Sequence, residues 1–337
     1  MNYFKFILIG VLISACTNKT EHARLTFLIK GNMAFDEGNY DQALRFYNES
    51  IAADPTFIDA YYNKALTLEK TNDFYDAITI YDKIIELDPL NSRALYKRSV
   101  NYLEVDQYYR ALDDLDELSK TWADSAIVYF TKGLANTHLK KYADAIKEFN
   151  YSLKLQPLQP QVLINIGNVY YYLSNSDSAR FYINKGLELN TKEANGYNTL
   201  GLIAIQQKSY DEALSFLTKA IELDPANAWF LNNKGFVYLQ LNQLDSAQYF
   251  INTSMKADPY NAWVYRNKGL LEMRLENSAK AISLLEKAYK MDSSIENLAL
   301  DLADAYFKIG NASKACEFFQ LTNSTEEINP LQNKYCQ

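Results

Sequence analysis

The sequence predicts an all-α solenoid of nine repeated helix–turn–helix units, and three observations predict it. The phrase "YDEALSFLTKAIELDP" at 210–225 has close counterparts in "FYDAITIYDKIIELDP" at 74–89 and "YDQALRFYNESIAADP" at 40–55. Stepping by 34 from Ala213 in both directions lands on Ala43, Ala77, Ala111, Ala145, Ala179, Ala247, Ala281 and Ala315, with no insertion or deletion. Twelve residues before each alanine stands another small residue: Gly31, Ala65, Ser99, Gly133, Gly167, Gly201, Gly235, Gly269 and Ala303. A fixed period of this length marks units that bury their apolar faces only against their neighbours.

Each element of the unit follows from its residues. Two helices approach closely only where side chains are small, so the Gly/Ala/Ser site and the alanine site mark a helix crossing. Turn residues such as Gly38-Asn39 and Asn72-Asp73 lie between them. The second helix ends at Asp54-Pro55, Asp88-Pro89, Asp224-Pro225 and Asp258-Pro259, because the residue before proline avoids the helical region. Tyr47, Tyr81, Phe149, Ile183, Leu217, Ile251, Leu285 and Phe319 supply the bulk between helices. Repeat 3 ends in "SKTWADS" without proline, repeat 5 has Ser176 where repeats 1 to 4 have Tyr or Phe, and repeat 9 lacks a full second helix. Asn329-Pro330 reads as an N-cap and first helical residue, opening a short helix that sets Leu331 and Tyr335 over the last open face.

On these residues the chain resembles the tetratricopeptide repeat family, whose 34-residue unit is a helix–turn–helix. The resemblance implies eighteen helices in one right-handed α-α superhelix over residues 24–329, without a domain boundary, followed by a cap at 330–337. It also implies that the first helix of each unit lines an inner groove, through unit positions 2, 5, 6, 9, 12 and 13.

Composition narrows the function classes. The 337 residues carry a net charge of −7, which disfavours nucleic acid, since phosphate binding needs clustered Lys and Arg. The only histidines are His22 and His138, and no metal-ligand, P-loop or dinucleotide motif occurs. No catalytic residues, cofactor or metal are expected, and His138 reads as a groove-facing surface residue.

The N-terminus reads separately. Lys5, an apolar run from Phe6 to Ile13 and the stretch Ile13-Ser14-Ala15-Cys16 resemble the signal peptide and lipobox of bacterial lipoproteins. That implies a cleaved leader at 1–15, lipid on Cys16, a tether at 16–23, and a place in the cell envelope, at the outer membrane. The other reading is an ordinary cleaved signal with a coincidental cysteine. Cys316 and Cys336 remain, an even pair that fits one disulfide in an exported chain. A buried free Cys316 with an exposed Cys336 is equally compatible.

Function then rests on a surface for a protein or peptide. In repeats 5 to 8 the inner positions carry Asn165, Asn168, Asn195, Asn198, Asn232, Asn233 and Asn267, flanked by Trp229 and Trp263. An amide donates and accepts at once, so such a row suits an extended backbone, although Asn at these positions is also common in the repeat itself. In repeats 1 to 3, Asn32, Asn63, Arg93 and Lys97 resemble the family's clamp for a peptide carboxylate, with Leu28 where the clamp has lysine. A groove-binding scaffold tethered to a membrane is the first expectation. The alternative is an assembly factor of an outer-membrane complex, comparable to pilotins of this family.

Overall fold

The computed structural model describes residues 3–322 and 334–336, with side chains from residue 20 onward. Residues 1 and 2, the side chains of the expected leader, the Cys16 side chain and the cap residues Asn329, Pro330 and Leu331 lie outside that description. All described secondary structure is helical, and the chain forms two compact units, Met1–Val169 and Tyr170–Gln337.

The first unit holds α1 (Tyr3–Asp36), α2 (Tyr40–Ala53), α3 (Ile58–Lys70), α4 (Phe74–Leu87), α5 (Ser92–Glu104), α6 (Tyr108–Thr121), α7 (Ala126–His138) and α8 (Tyr142–Leu155). The division falls within α9 (Pro160–Tyr172). The second unit holds α10 (Ser176–Leu189), α11 (Ala194–Gln206), α12 (Tyr210–Leu223), α13 (Ala228–Gln240), α14 (Leu244–Ala257), α15 (Ala262–Arg274), α16 (Ser278–Met291), α17 (Leu298–Lys308) and α18 (Ala312–Gln320). From α1 to α8 in the first unit, and from α10 to α18 in the second, each helix packs on the next. Odd-numbered helices such as α11, α13, α15 and α17 also touch one another in succession. The all-α repeat architecture read from the sequence is therefore the one observed.

The repeat logic is visible in burial. All nine period alanines are fully buried, at 0% exposure. A Cβ placed on Gly31 would lie 2.5 Å from the Tyr47 ring, and one on Gly269 would lie 2.7 Å from Leu285. Glycine is needed there because the neighbouring helix drives a bulky side chain into the space that a methyl group would fill.

The turn inside each unit has a device the sequence disclosed only in part. Gly38 sits at φ +76° and Gly310 at +78°, and the equivalent position is left-handed in every unit between them, as at Asn72 (+62°) and Asn242 (+57°). The following amide then bonds back to the first helix, as when Asp73 N–H donates to the Leu68 carbonyl at 2.9 Å. This closes the helix C-terminus and satisfies carbonyls that would otherwise be orphaned. Seven of these turns use a non-glycine residue, so glycine is not the signature of this site.

The turn between units is held by the residue before proline. Asp54 Oδ1 accepts the Thr56 N–H at 2.9 Å, and Asp258 Oδ1 accepts the Tyr260 N–H at 2.9 Å. Asn190 and Asp292 do the same for Lys192 and Ser294, where proline is replaced by Thr191 and Ser293. The side-chain acceptor carries the turn, and proline reinforces it. At Asp54 the Thr56 N–H and hydroxyl, with Arg24, hold the carboxyl below its ordinary range.

Two segments differ from the simple repeat. Helix α1 continues through residues 16–23, so the segment read as a tether has helical backbone. The seven residues 17–23 rise only about 10 Å as helix, against about 24 Å when extended. No described helix is long and apolar enough to cross a membrane. At the other end α18 has nine residues instead of the usual fourteen, and Tyr335 completes its packing. Tyr335 is 1% exposed and meets the Phe319 ring at 5.2 Å and the Phe307 ring at 5.6 Å. A disulfide joins Cys316 to Cys336.

Candidate functional site

In the second unit α11, α13, α15 and α17, the helices that the family resemblance assigns to the inner face, lie side by side. Two of these helices start with the same local device. Asn227 Oδ1 accepts the Trp229 N–H at 3.1 Å, and Asn261 Oδ1 accepts the Trp263 N–H at 3.0 Å. A capping asparagine satisfies a free amide of the first turn and fixes where the following side chains project. Trp229 is thereby left 50% exposed and Trp263 half-buried, one repeat apart at the same unit position. The Arg266 guanidinium lies 5.7 Å from the Trp263 ring centre.

Behind the tryptophans the amides do not form a row of free donors. Asn233 Nδ2 donates to Asn198 Oδ1 at 2.9 Å, and Asn267 Nδ2 donates to Asn232 Oδ1 at 3.0 Å. Arg266 Nε donates to Asp301 Oδ2 at 2.7 Å in the same relation. Each rung joins position 5 of one unit to position 6 of the next, a separation of 35 residues. Asn232 and Asn267 are 1% and 2% exposed, so this pair is an inter-helix strut rather than an open recognition surface. The Asn267 Oδ1 atom is buried without a partner among the described residues. Burial raises the Asp301 carboxyl above its ordinary pKa, and the Arg266 charge pulls it back down. Asn195 is exposed at the start of α11.

Asn165 and Asn168 belong to the first unit. Asn165 Nδ2 donates to the Gln161 carbonyl of its own helix at 2.8 Å, and Asn168 is half-buried.

The carboxylate-clamp candidates also lie in the first unit, and most are engaged by the protein itself. Asn32 Oδ1 accepts from the Tyr47 hydroxyl at 2.9 Å and from Asn63 Nδ2 at 2.8 Å. Lys97 Nζ is held by Glu69 Oε2 at 2.8 Å. Arg93 is exposed and stacks 4.1 Å over the Tyr62 ring. An incoming carboxylate would have to displace Glu69 from Lys97, so Asn32, Asn63 and Lys97 are engaged within the protein and Arg93 is the exposed cation of the four. His138 is exposed and stacks on Tyr108 at 4.7 Å. Among the described residues no three His, Cys, Asp or Glu side chains are placed to hold a metal.

The sequence reading passed over unit positions 12 and 13. Together with position 9 of α13, α15 and α17, they line a cavity of about 730 Å³ that includes Phe236, Leu239, Leu270, Met273, Arg274 and Phe307. Their signal is present in the sequence, since each falls at a unit position that the family resemblance assigns to the inner groove.

Comparison with known proteins agrees with this construction. A tetratricopeptide-repeat profile matches residues 34–99 and 204–264, and a second profile of the same description matches 96–160, 164–228 and 266–324. No curated protein matches the chain. Among solved structures, the Cut9–Hcn1 hetero-tetramer of the APC/C is 15% identical with a TM-score of 0.67, covering 92% of this chain and 76% of its own. A tetratricopeptide repeat protein from Parabacteroides merdae is 17% identical with a TM-score of 0.58, covering 74% and 98%. PilF of Pseudomonas aeruginosa is 23% identical with a TM-score of 0.50, covering 63% and 96%. At these identities the likeness is one of fold.

Proposed function

The chain belongs to the tetratricopeptide repeat family and is a protein–protein interaction scaffold, and from that premise we propose that it binds an extended polypeptide along the inner face of its second unit. The carrying observation is Trp229, half exposed beside Trp263 at the same position of the next repeat. Large aromatic side chains left open on a rigid face are the residues on which binding energy concentrates. The rungs Asn198–Asn233 and Asn232–Asn267 hold that face rigid, which lowers the ordering cost of binding.

The test is peptide binding by calorimetry on the intact detergent-solubilised chain and its variants. Trp263→Ala is expected to weaken binding about tenfold or more, the range of an anchor residue. The double change Asn198→Ala and Asn233→Ala, which removes one rung of the second unit, is expected to weaken it less, because a net hydrogen bond contributes only about 1 kcal/mol. Matched circular dichroism checks the fold. Equal affinity in wild type and Trp263→Ala would place the ligand elsewhere.

We further propose that the scaffold is lipid-anchored at Cys16 in a bacterial cell envelope, at the outer membrane. The order Lys5, apolar run, Ile13-Ser14-Ala15-Cys16 supports this reading. One acyl chain anchors only marginally, so stable attachment needs at least two. Cys16→Ala is expected to move the protein out of the membrane fraction and abolish labelling by radioactive palmitate. Full retention in the membrane with no label on the wild type would refute the anchor.

A further inference from the structure

We propose that the cavity between α13, α15 and α17 is a subsite for an acidic peptide segment carrying one apolar anchor residue. This rests on reading the chain as a peptide-binding scaffold and specifies the chemistry of its ligand.

The floor of the cavity is apolar: Phe236 and Leu239 from α13, Leu270 and Met273 from α15, and Phe307 from α17. Phe307 is 43% exposed, so an aromatic surface faces the space. Around the floor stand four cations, Arg266, Arg274, Lys308 and Lys334, and two carboxylates, Asp301 and Asp304. Both carboxylates are already engaged. Asp301 accepts from Arg266 at 2.7 Å. Asp304 accepts from Lys334 Nζ at 2.7 Å and from the Tyr335 hydroxyl at 2.5 Å.

Arg274 and Lys308 remain, and neither has a carboxylate within ion-pair distance among the described residues. Lys308 Nζ donates to the Met273 carbonyl at 3.2 Å, and Lys308 and Arg274 both line the cavity with exposed side chains. Two cations at one rim repel each other, and a bound anion relieves that repulsion. The surplus stands out in a chain whose net charge is −7. Apolar floor and cationic rim together fit a peptide in which acidic residues flank a single large apolar side chain.

The tail is part of the wall. Lys334 lies two residues before Cys336, whose disulfide to Cys316 fixes the tail on α18. With that disulfide open, the tail is held only by the contacts of Lys334 and Tyr335 with Asp304 and the apolar cap, so the Lys334 charge occupies the cavity for a smaller share of the time and the affinity for an acidic ligand falls.

The experiment uses the intact chain and a short, terminally blocked, fluorescein-labelled peptide, glutamate-rich around one phenylalanine. Its all-glutamine counterpart and vesicles of acidic lipid are the comparison probes. Wild type is expected to bind the glutamate peptide at least tenfold more tightly than the glutamine peptide. The preference should shrink in high salt, as exposed charge contacts are screened. The double change Arg274→Ala and Lys308→Ala is expected to remove the preference, and reduction of the disulfide to lower it. Equal binding of both peptides, or an unchanged preference in the double variant, overturns the subsite while a loss of binding in Trp263→Ala still upholds the scaffold reading. Acidic vesicles bound in place of the peptide also overturn it. Failure of every peptide to bind overturns both.

Discussion

Replacing Tyr81 by alanine is expected to lower stability by about 4 kcal/mol, in the range for removing a fully buried aromatic side chain. Tyr81 on α4 is 0% exposed and packs in a cluster with Tyr62, Ala65, Leu68 and Ala94. Its ring meets that of Tyr62 at 5.9 Å, edge-on. Its hydroxyl donates to Glu69 Oε1 at 2.8 Å. Burial, with the Glu69 charge beside it, pushes that hydroxyl far above its ordinary pKa, so it remains a donor at any physiological pH. The same Glu69 takes Lys97 at 2.8 Å and Asn101 at 2.7 Å, so the core side chain also steadies the polar network on the inner face. Tyr81→Phe keeps the ring and removes only the donor, and is expected to cost about 1 kcal/mol. Urea titration followed by circular dichroism measures both, and hydrogen exchange locates the loss in α3 to α6. An alanine variant within about 1 kcal/mol of wild type would show that this position collapses freely, against the packing argued here.

The contrast between Tyr81 and the amide rungs explains what was legible in the sequence. Position within the unit dictates burial, so the period-34 alanines and the knob residues could be read directly. The Tyr47 ring against Gly31 needs only the knowledge that small faces large across a crossing. A rung such as Asn232–Asn267 needs more. Its partners stand 35 residues apart, because successive first helices are staggered so that position 5 meets position 6. A reading that aligns equal positions down the chain sees a column of amides and not their pairing. The left-handed turn residue was half legible for a similar reason. Gly38 announces it, while Lys140, Lys208 and Glu276 occupy the same conformation without any turn preference, because the surrounding hairpin enforces it. The cavity charges were the least legible. Lys334 shares the cavity lining with Arg274 through a tail that a disulfide ties to α18, and the cysteine count alone left that pairing open.

Reducing the Cys316–Cys336 disulfide is expected to destabilise the end of the second unit by about 3 kcal/mol, from the entropy regained by an unfolded chain no longer closed into a loop. The sequence separation is 20 residues, which sets that scale. The native side of the balance points the same way. The bond holds Tyr335 in a core with Leu298, Leu302 and Phe319, and Tyr335 is 1% exposed there. A solenoid must cover its terminal apolar face, and α18, with nine residues, is shorter than the preceding second helices. Freeing the tail therefore loosens the chain constraint and uncovers Phe319 and Phe307 together. The two contributions separate by mutation. Cys336→Ser removes the constraint and leaves Tyr335 able to dock, whereas Tyr335→Ala keeps the bond and empties the cap. If both matter, each variant loses hydrogen-exchange protection in α17 and α18, and reductant lowers the urea midpoint of wild type but not of Cys336→Ser. A wild-type protein whose midpoint and α18 protection are the same with and without reductant would show that Tyr335 caps the repeat unaided.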